Sequence, residues 1–302
     1  MSNIIGVITD IHRTTDANAA WSLFGQNEYR RFSTAQARTE AAAAEFESDS
    51  VDFMFIGGDA IDANSDDPKT HIGDVHGWAS GEFSGDIHYA IGNHEYSAEA
   101  TDPLTDFTWA AYITGIGSPS YSSGWSDGGI DKAYSFDSNG IHYVVLCSGV
   151  INATNALGNG HGQYNWLESD IAATSLPIVI LTHMHLSNQL STLDLGSPSY
   201  DYINITEASD VRSLLEANGN VQAVIQCHYH AAYNPPVYTL NDIQYVSLGG
   251  SVLAPNAADN TYYKIQIIPN AVWGTLRARA AIEITGYGRG LSIALPQYTM
   301  KG

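Results

Sequence analysis

Basic residues are scarce in this chain of 302 residues, in which 12 lysines and arginines face 32 aspartates and glutamates, a formal net charge of −20. Binding to a phosphate backbone or to an anionic membrane surface requires clustered basic side chains, so the composition argues against a nucleic-acid or membrane partner. The same charge suits a protein that stays soluble at high ionic strength, where salt screens the repulsion between surface carboxylates. A salt-loving source is one hypothesis, and an ordinary acidic enzyme is the other.

Cysteine and long apolar runs are also lacking. Cys147 and Cys227 cannot build a disulfide framework, and both lie in apolar segments where buried free thiols are expected. No segment approaches the ~20 apolar residues of a transmembrane helix, and no signal-peptide pattern is present. We therefore expect a cytoplasmic protein, with a mature secreted form as the alternative, and the oligomeric state stays open.

Seven potential metal ligands and one neighbouring histidine, His94, lie in five short clusters, most of which directly follow an apolar run. The clusters are TDIH with Asp10 and His12, GGD with Asp59, GNHE with Asn93 and His94, THMH with His183, and CHYH with His228 and His230. The preceding runs are IIGVIT, VDFMFI, IHYAI, LPIVILT and VQAVIQ. Side chains at the C-terminal ends of strands point into the crevice in which α/β sheets bind ligands. Convergence of these ends would create a cage of oxygen and imidazole donors for two divalent cations.

Each cluster also has an ordinary explanation when it is taken alone. Asp-x-His, Gly-Gly-Asp and Gly-Asn are common in loops, and a chain with 11 histidines forms His-x-His pairs by chance. That interpretation requires five coincidences at equivalent strand ends, so the order and placement of the clusters favour a metal site.

The order D-x-H, G-D, G-N-H-E, H and H-x-H resembles the motif series of the calcineurin-like metallophosphoesterases, and every motif position is filled. GQYNWLESDI at 162–171 is similar to the Q-x-x-W-L helix of many members, and the likeness extends from about Ile4 to about Val252. It implies an α/β (α+β layered) fold in which two mixed β-sheets pack as a sandwich flanked by helices. A single domain over 1–302 is expected, with a strand or extended tail after about 275.

The resemblance also implies roles for the motif residues. Asp10, His12 and His230 would hold the first metal, Asn93, His183 and His228 the second, Asp59 would bridge the two, and His94 would protonate the leaving oxygen or stabilise the transition state. Imidazole and carboxylate ligands suit Mn, Fe, Zn, Co or Ni better than Mg or Ca. The implied activity is hydrolysis of a phosphomonoester or phosphodiester of a small soluble substrate by a hydroxide that bridges two metals.

The subfamily stays open. Purple acid phosphatases carry a tyrosine three residues after the bridging aspartate, whereas this chain has Asp62, which argues against an iron–phenolate centre. GDAID resembles the G-D-x-x-D of cyclic-nucleotide phosphodiesterases, but Glu95 stands where those enzymes usually have aspartate. A phosphodiesterase of that type is one alternative. A non-catalytic scaffold that keeps its metals is another, and the acidic charge disfavours a nuclease.

Several residues beside the motifs are candidates for contact with the substrate: Arg13, Asp62, Tyr96 and His161. Arg13 could offer a two-pronged donor to a phosphate, and Tyr96 could stack on a base or an aryl ester. Glu95 could orient His94 through the second ring nitrogen. A solvated loop side chain is the competing interpretation for Arg13 and Glu95.

The pattern between the motifs predicts the other elements. Helices are expected at 33–48, 101–112, 162–173 and 207–218, with Ser33 or Thr34 as the cap of the first. Hairpins are expected around Asn139–Gly140 and Asn241–Asp242. Residues 62–86 are rich in Gly, Asp, Ser and His and predict a long functional loop.

Overall fold

The computed structural model describes residues 3–14, 34–62, 68–96, 123–127, 130–148, 162–186, 208–228, 230, 237–251, 261–268 and 281–287. The described helices are α1 (Ala35–Ser48), α2 (Pro68–Glu82), α3 (Asn93–Tyr96), α4 (Gly162–Ala173) and α5 (Ala208–Ala217). The described strands are β1 (Asn3–Ile8), β2 (Phe53–Ile56), β3 (Ile87–Tyr89), β4 (Ser123–Asp127), β5 (Ile130–Ser138), β6 (Ile141–Leu146), β7 (Ile178–Thr182), β8 (Val221–Gln226), β9 (Val237–Leu240), β10 (Ile243–Ser247), β11 (Tyr262–Ile268) and β12 (Ala281–Tyr287).

The first sheet has the order β12-β11-β1-β2-β3. β1, β2 and β3 run parallel, and β11 joins β1 in antiparallel register, with Asn3 opposite Ile267. All four residues of β2 are buried, since both faces of the strand are covered. Strands of that kind have nearly continuous apolar sequences, which is why VDFMFI could be recognised as a strand.

The second sheet has the order β4-β5-β6-β7-β8-β10-β9, in which β6, β7, β8 and β10 are parallel. Two hairpins in this sheet were predicted from the sequence. Asn139 and Gly140 join β5 to β6 at φ values of 47° and 81°, and Asn241 and Asp242 join β9 to β10 at 44° and 76°. Positive φ at both central residues matches the twist of the flanking strands.

The two sheets pack face to face around an aromatic cluster. The ring of Phe53 in the first sheet lies 5.2 Å from that of Phe136 and 4.9 Å from that of Tyr143 in the second. α1 and α2 contact each other, and α1 packs on β1 of the first sheet. Leu167 of α4 and Val211 of α5 join a second apolar cluster with β6, β7 and β8. The predicted sandwich of two mixed sheets with flanking helices is confirmed.

The prediction of a loop over 62–86 was wrong for Pro68–Glu82, which form α2. Ile72, Val75 and Ala79 recur at helical spacing and are fully or almost fully buried. Gly73 and Gly77 suggested a loop, but a side chain at either position would meet open space, so both lie on the outer face of the helix. Packing of the apolar face therefore outweighs the ~1 kcal/mol that each glycine costs a helix.

The ends of the other predicted helices are close to those observed. α4 and α5 begin and end within one residue of the prediction. Thr34 precedes α1 without a side-chain capping hydrogen bond, so it is not the expected cap, and Ser33 and the helix predicted at 101–112 lie outside the described residues. Within the described ranges, no helix has the length and apolar character needed to cross a membrane.

Candidate metal centre

The five motif clusters meet where the C-terminal ends of parallel strands from both sheets converge. In the first sheet, β1 leads to Asp10 and His12, β2 to Asp59, and β3 to Asn93 and His94. In the second sheet, β7 leads to His183, and β8 leads to His228 and His230. Side chains up to 220 positions apart in sequence therefore share one pocket.

The first ligand group consists of Asp10, His12, Asp59 and His230. Nε2 of His230 lies 3.0 Å from Nε2 of His12 and 3.1 Å from Oδ1 of Asp10. Nε2 of His12 lies 3.7 Å from Oδ2 of Asp59. The side chains that follow β1 and β8, one carboxylate and two imidazoles, thus face one point. Asp59 approaches the same point from the loop after β2.

The second ligand group surrounds His183. Its Nε2 lies 3.1 Å from Oδ1 of Asn93, 3.2 Å from Nδ1 of His228 and 3.4 Å from Oδ2 of Asp59. The Asp59 atom is the one that also faces His12, and Asp10 lies within reach of this group too. A single carboxylate oxygen therefore stands between the two groups, which is the position of a bridging ligand.

The spacing and chemistry of these donors fit two transition-metal ions. Ligand atoms ~2.0–2.2 Å from a tetrahedral ion lie roughly 3–3.6 Å from one another, close to the separations above. Oδ1 of Asp10 and Oδ2 of Asp59 are buried and lack a well-formed hydrogen bond to any described residue. Nδ1 of His183 bonds to Gly57 O at 2.7 Å, which directs Nε2 into the pocket.

The electrostatics of the pocket also call for positive charge. Burial favours a neutral Asp59, but the imidazoles around it, led by His183, hold its pKa well below the usual range. Burial disfavours a charged His183, yet Asp59 raises its pKa to about 9. Burial and then the charge of His183 lower the pKa of His228 well below its ordinary value. The proton on His183 offsets only one of the two negative charges of Asp10 and Asp59, so the site stays net negative and favours the binding of cations.

Four of the candidate ligands adopt a backbone conformation that ordinary residues rarely occupy. The φ values are 53° for Asp10, 52° for His12, 49° for Asp59 and 70° for His228. Such conformations cost ~1–3 kcal/mol each and persist where the surroundings enforce them. Asp10 N donates to Gly58 O at 3.0 Å and His12 N to Asp59 O at 2.9 Å, so the loops after β1 and β2 hold each other in this shape.

Glu95 has a different position from the one expected. Its buried carboxylate accepts main-chain hydrogen bonds from Gly92 at 2.7 Å, Asp59 at 2.9 Å and Ile61 at 3.1 Å. Burial, followed by the charge of Asp59, raises the pKa of Glu95 to about 7. Glu95 therefore fixes the loop that carries Asp59. It does not orient the His94 ring as expected, because the carboxylate that faces this ring belongs to a different residue.

That other carboxylate belongs to Asp62. Its Oδ2 lies 3.2 Å from Nδ1 of His12 and 3.6 Å from Nδ1 of His94. His94 is partly exposed, its main-chain N–H donates to Oδ1 of Asp59 at 2.9 Å, and its Nε2 lies 3.9 Å from Oδ2 of the same residue. Asp62 thus contacts the Nδ1 side of the two imidazole rings. The sequence analysis had instead suggested that Asp62 contacts the substrate.

The other candidate substrate contacts fall outside this cluster. Arg13 donates from Nε and Nη2 to Asp74 of α2 at 3.1 and 2.9 Å, and its guanidinium lies over the ring of Trp78. The Arg13 guanidinium is therefore not directed at a phosphate as expected, because its Nε and Nη2 donors are bonded to Asp74. The side chain of Tyr96 and all of His161 lie outside the described residues.

Two further residues next to the motifs belong to the core. His185 is fully buried, and its Nε2 bonds to Cys227 O at 2.8 Å. Burial lowers the pKa of His185 to about 4 and raises that of the Cys227 thiol far above its usual value. Cys227 is not part of either ligand group among the described residues, and both Cys227 and Cys147 are buried and form no disulfide.

Fold and pocket together define a class of layered α/β proteins that carry two adjacent groups of potential metal ligands at the carboxyl ends of their strands. The family model described as calcineurin-like phosphoesterase matches residues 4–232, and the chain belongs to this family. This confirms the predicted family and places the protein among metal-dependent phosphoester hydrolases.

Solved structures show the same fold. A dimetal phosphatase from Danio rerio has a TM-score of 0.65 and 14% identity, over 95% of this chain and 96% of that one. Purple acid phosphatase PPD1 from yellow lupin (Lupinus luteus) has a TM-score of 0.58 and 14% identity, over 97% of this chain and 53% of that one. GAP50, the anchor in the inner membrane complex of Plasmodium, has a TM-score of 0.51 and 13% identity, over 97% and 87%. Comparison with curated protein sequences gives no significant match.

Proposed function

We propose that the protein hydrolyses a phosphomonoester or phosphodiester of a small molecule with two divalent ions bound in the two ligand groups. The observation that carries this proposal is the position of Asp59 Oδ2, which lies 3.7 Å from Nε2 of His12 and 3.4 Å from Nε2 of His183. An oxygen shared by two groups of donors is the feature that distinguishes a dinuclear centre from two separate sites.

In this proposal each ligand group holds one ion. Asp10, His12 and His230 would hold the first, Asn93, His183 and His228 would hold the second, and Asp59 would contribute to both. The mixed imidazole and carboxylate set favours Mn, Fe, Zn, Co or Ni. Two bound ions would supply Lewis-acid polarisation of the phosphoryl oxygens and would lower the pKa of a water molecule.

His94 has the role of proton donor to the leaving oxygen. Its main-chain hydrogen bond to Asp59 fixes it beside the bridging carboxylate, and Asp62 faces its Nδ1. Nε2 is then the nitrogen left to reach the substrate. The partial exposure of the ring, 14% of the side chain, supports this role because a substrate could reach it from solvent.

The substrate class follows from charge. A net charge of −20 disfavours polyanionic partners such as nucleic acids and anionic membranes, so we propose a small soluble ester. A scaffold that keeps its metals is the second candidate, because the similar fold of GAP50 belongs to a protein named as an anchor. The complete pair of ligand groups and the presence of His94 favour the enzyme.

A panel of two esters separates these candidates. Protein purified without chelator is analysed for metal and then assayed with Mn²⁺ on an aryl phosphate and on a bis-aryl phosphate. Hydrolysis of the first ester indicates a phosphatase, and hydrolysis of the second indicates a phosphodiesterase, which includes the cyclic-nucleotide type. Bound metal without hydrolysis of either ester would support the scaffold instead.

Replacement of His94 tests the assigned proton transfer. We expect His94→Ala to lower turnover by ~10²–10⁴-fold, the usual contribution of a general acid, and to leave the metal content unchanged. His76→Gln is the control, because His76 lies on α2 and bonds to the Tyr89 hydroxyl at 2.7 Å, outside both ligand groups. Unchanged turnover in His94→Ala would remove His94 from the mechanism.

A further inference from the structure

Arg38 lies on the buried face of α1, and none of its side chain is exposed. Burial of a guanidinium is costly unless polar groups replace its hydration shell. Main-chain carbonyl oxygens do so here: Nε donates to Thr34 O at 3.3 Å, Nη2 to Ile11 O at 3.1 Å and Nη1 to Ser251 O. Burial lowers the pKa of Arg38 to about 9, so the group still carries its charge at neutral pH.

One of these acceptors lies within the first ligand group. Ile11 separates Asp10 from His12, and both neighbours have φ values near 50°. The Ile11 carbonyl can keep one orientation only while the strained turn around it persists. A hydrogen bond from a fixed cation to this oxygen therefore opposes relaxation of the turn.

The second acceptor belongs to the segment after β10, on the other sheet. Ser251 N donates to Thr9 O at 2.9 Å, so this segment lies against the end of β1. Its neighbour Gly250 is packed so closely that an added Cβ would lie 2.8 Å from Cβ of Asp10 and 3.1 Å from Cδ2 of His230. Movement of the Ser251 carbonyl would therefore shift Gly250, against which the side chains of Asp10 and His230 pack.

We propose that Arg38 is a positioning residue for the first metal. By bonding to the carbonyls of Ile11 and Ser251, it ties a loop of the first sheet to a loop of the second and holds the first ligand group at the spacing that one cation needs. The proposal rests on the function proposed above. It concerns the support behind the ligands, because the hydrogen bonds described above join Arg38 to main-chain carbonyls and not to the ligand side chains.

The proposal predicts a selective effect. The hydrogen bonds of Arg38 described above end on Thr34, directly before α1, and on the loops after β1 and β10. The second ligand group has its own supports, because Gly57 O fixes the ring of His183 and Glu95 fixes the loop of Asp59. Loss of the guanidinium should therefore weaken one metal site and spare the other.

Calorimetric titration of metal-free protein with Mn²⁺ tests this. We expect two sites in the wild-type protein, and in Arg38→Met one unchanged site and one weakened by ~10–100-fold, the usual effect of losing a residue that supports ligands. Arg38→Lys keeps a charged donor, so the Mn²⁺ affinity of its weakened site should lie between those of the wild-type protein and Arg38→Met. Lys264→Met is the matched control, because Lys264 also links α1 to the first sheet, through Asp49, but on the side away from the ligands.

Double variants identify the weakened site. Arg38→Met combined with His230→Ala should bind one ion as His230→Ala does alone, whereas the combination with His228→Ala should bind neither ion well. Two unchanged sites in folded Arg38→Met, or equal weakening of both, would overturn the proposal. If Arg38→Met does not fold, Arg38→Lys decides by the same criterion. A wild-type protein that binds no ion would instead refute the proposed function.

Discussion

Glu95 offers a sharp test of how the metal loops are held in place. In the wild-type protein, Oε2 accepts from Gly92 N and Asp59 N, and Oε1 accepts from Ile61 N. In Glu95→Gln, the amide oxygen can occupy only one of these positions, so at best two hydrogen bonds remain. The amide NH2 then faces the N–H of Ile61, and two donors confront each other in a buried site.

The expected loss follows from these contacts. A hydrogen bond to a charged group contributes ~1.5–3 kcal/mol and a neutral one ~1 kcal/mol, so replacing three charge-assisted bonds by two neutral ones costs about 5 kcal/mol. Because the pKa of Glu95 is raised to about 7, burial of its charge disfavours the folded wild-type protein by about 3 kcal/mol at pH 8, and glutamine removes this cost. The expected net loss of unfolding free energy is therefore about 2 kcal/mol. Urea unfolding of the metal-free protein at pH 8 measures the difference. The exposed Glu82→Gln, at the end of α2, is the matched control and should differ from wild type by less than ~0.5 kcal/mol. An equally small effect of Glu95→Gln would refute the reasoning that this carboxylate fixes the Asp59 loop.

Two other predictions concern the core and the surface. The ring of His88 stacks on Phe136 at 3.6 Å, and burial lowers its pKa to about 3. The unfolded chain therefore binds this proton first, and the free energy of unfolding should fall as the pH drops from about 6.5, by about 3 kcal/mol at pH 4. Urea unfolding at several pH values across this range measures the effect. The free energy of unfolding of His88→Phe should lack the decrease that comes from His88. An equal decrease with pH in both proteins would contradict the lowered pKa of His88. The net charge of −20 predicts that the melting temperature rises from dilute buffer to molar salt, as salt screens surface carboxylates, and a flat response would count against a salt-adapted surface.

Those parts of the fold that depend on local pattern could be predicted from the sequence. The apolar runs before Asp10, Asp59 and His183 are continuous because β1, β2 and β7 are covered on both faces. Because the candidate ligands directly follow these strands, their positions could be predicted without knowledge of the strand order in the sheets. The hairpin turns were visible for a similar reason, since Asn, Asp and Gly are the residues that tolerate positive φ.

Long-range contacts could not be predicted in this way. Arg38 bonds to a carbonyl 213 positions away, and Glu95 bonds to N–H groups 36 and 34 positions away. A main-chain acceptor or donor has no side-chain signature, so neither contact leaves a trace in the residue pattern. The pairing of β11 with β1 could not be predicted either, because periodicity says nothing about the partner of a strand.

The central claim is that Asp59 lies between two metal ions. Anomalous diffraction from crystals of the protein loaded with Mn²⁺ tests it most directly. The account predicts two peaks ~3.5–4 Å apart, with Oδ2 of Asp59 in contact with both. A single ion, or two ions that do not share this oxygen, would contradict it.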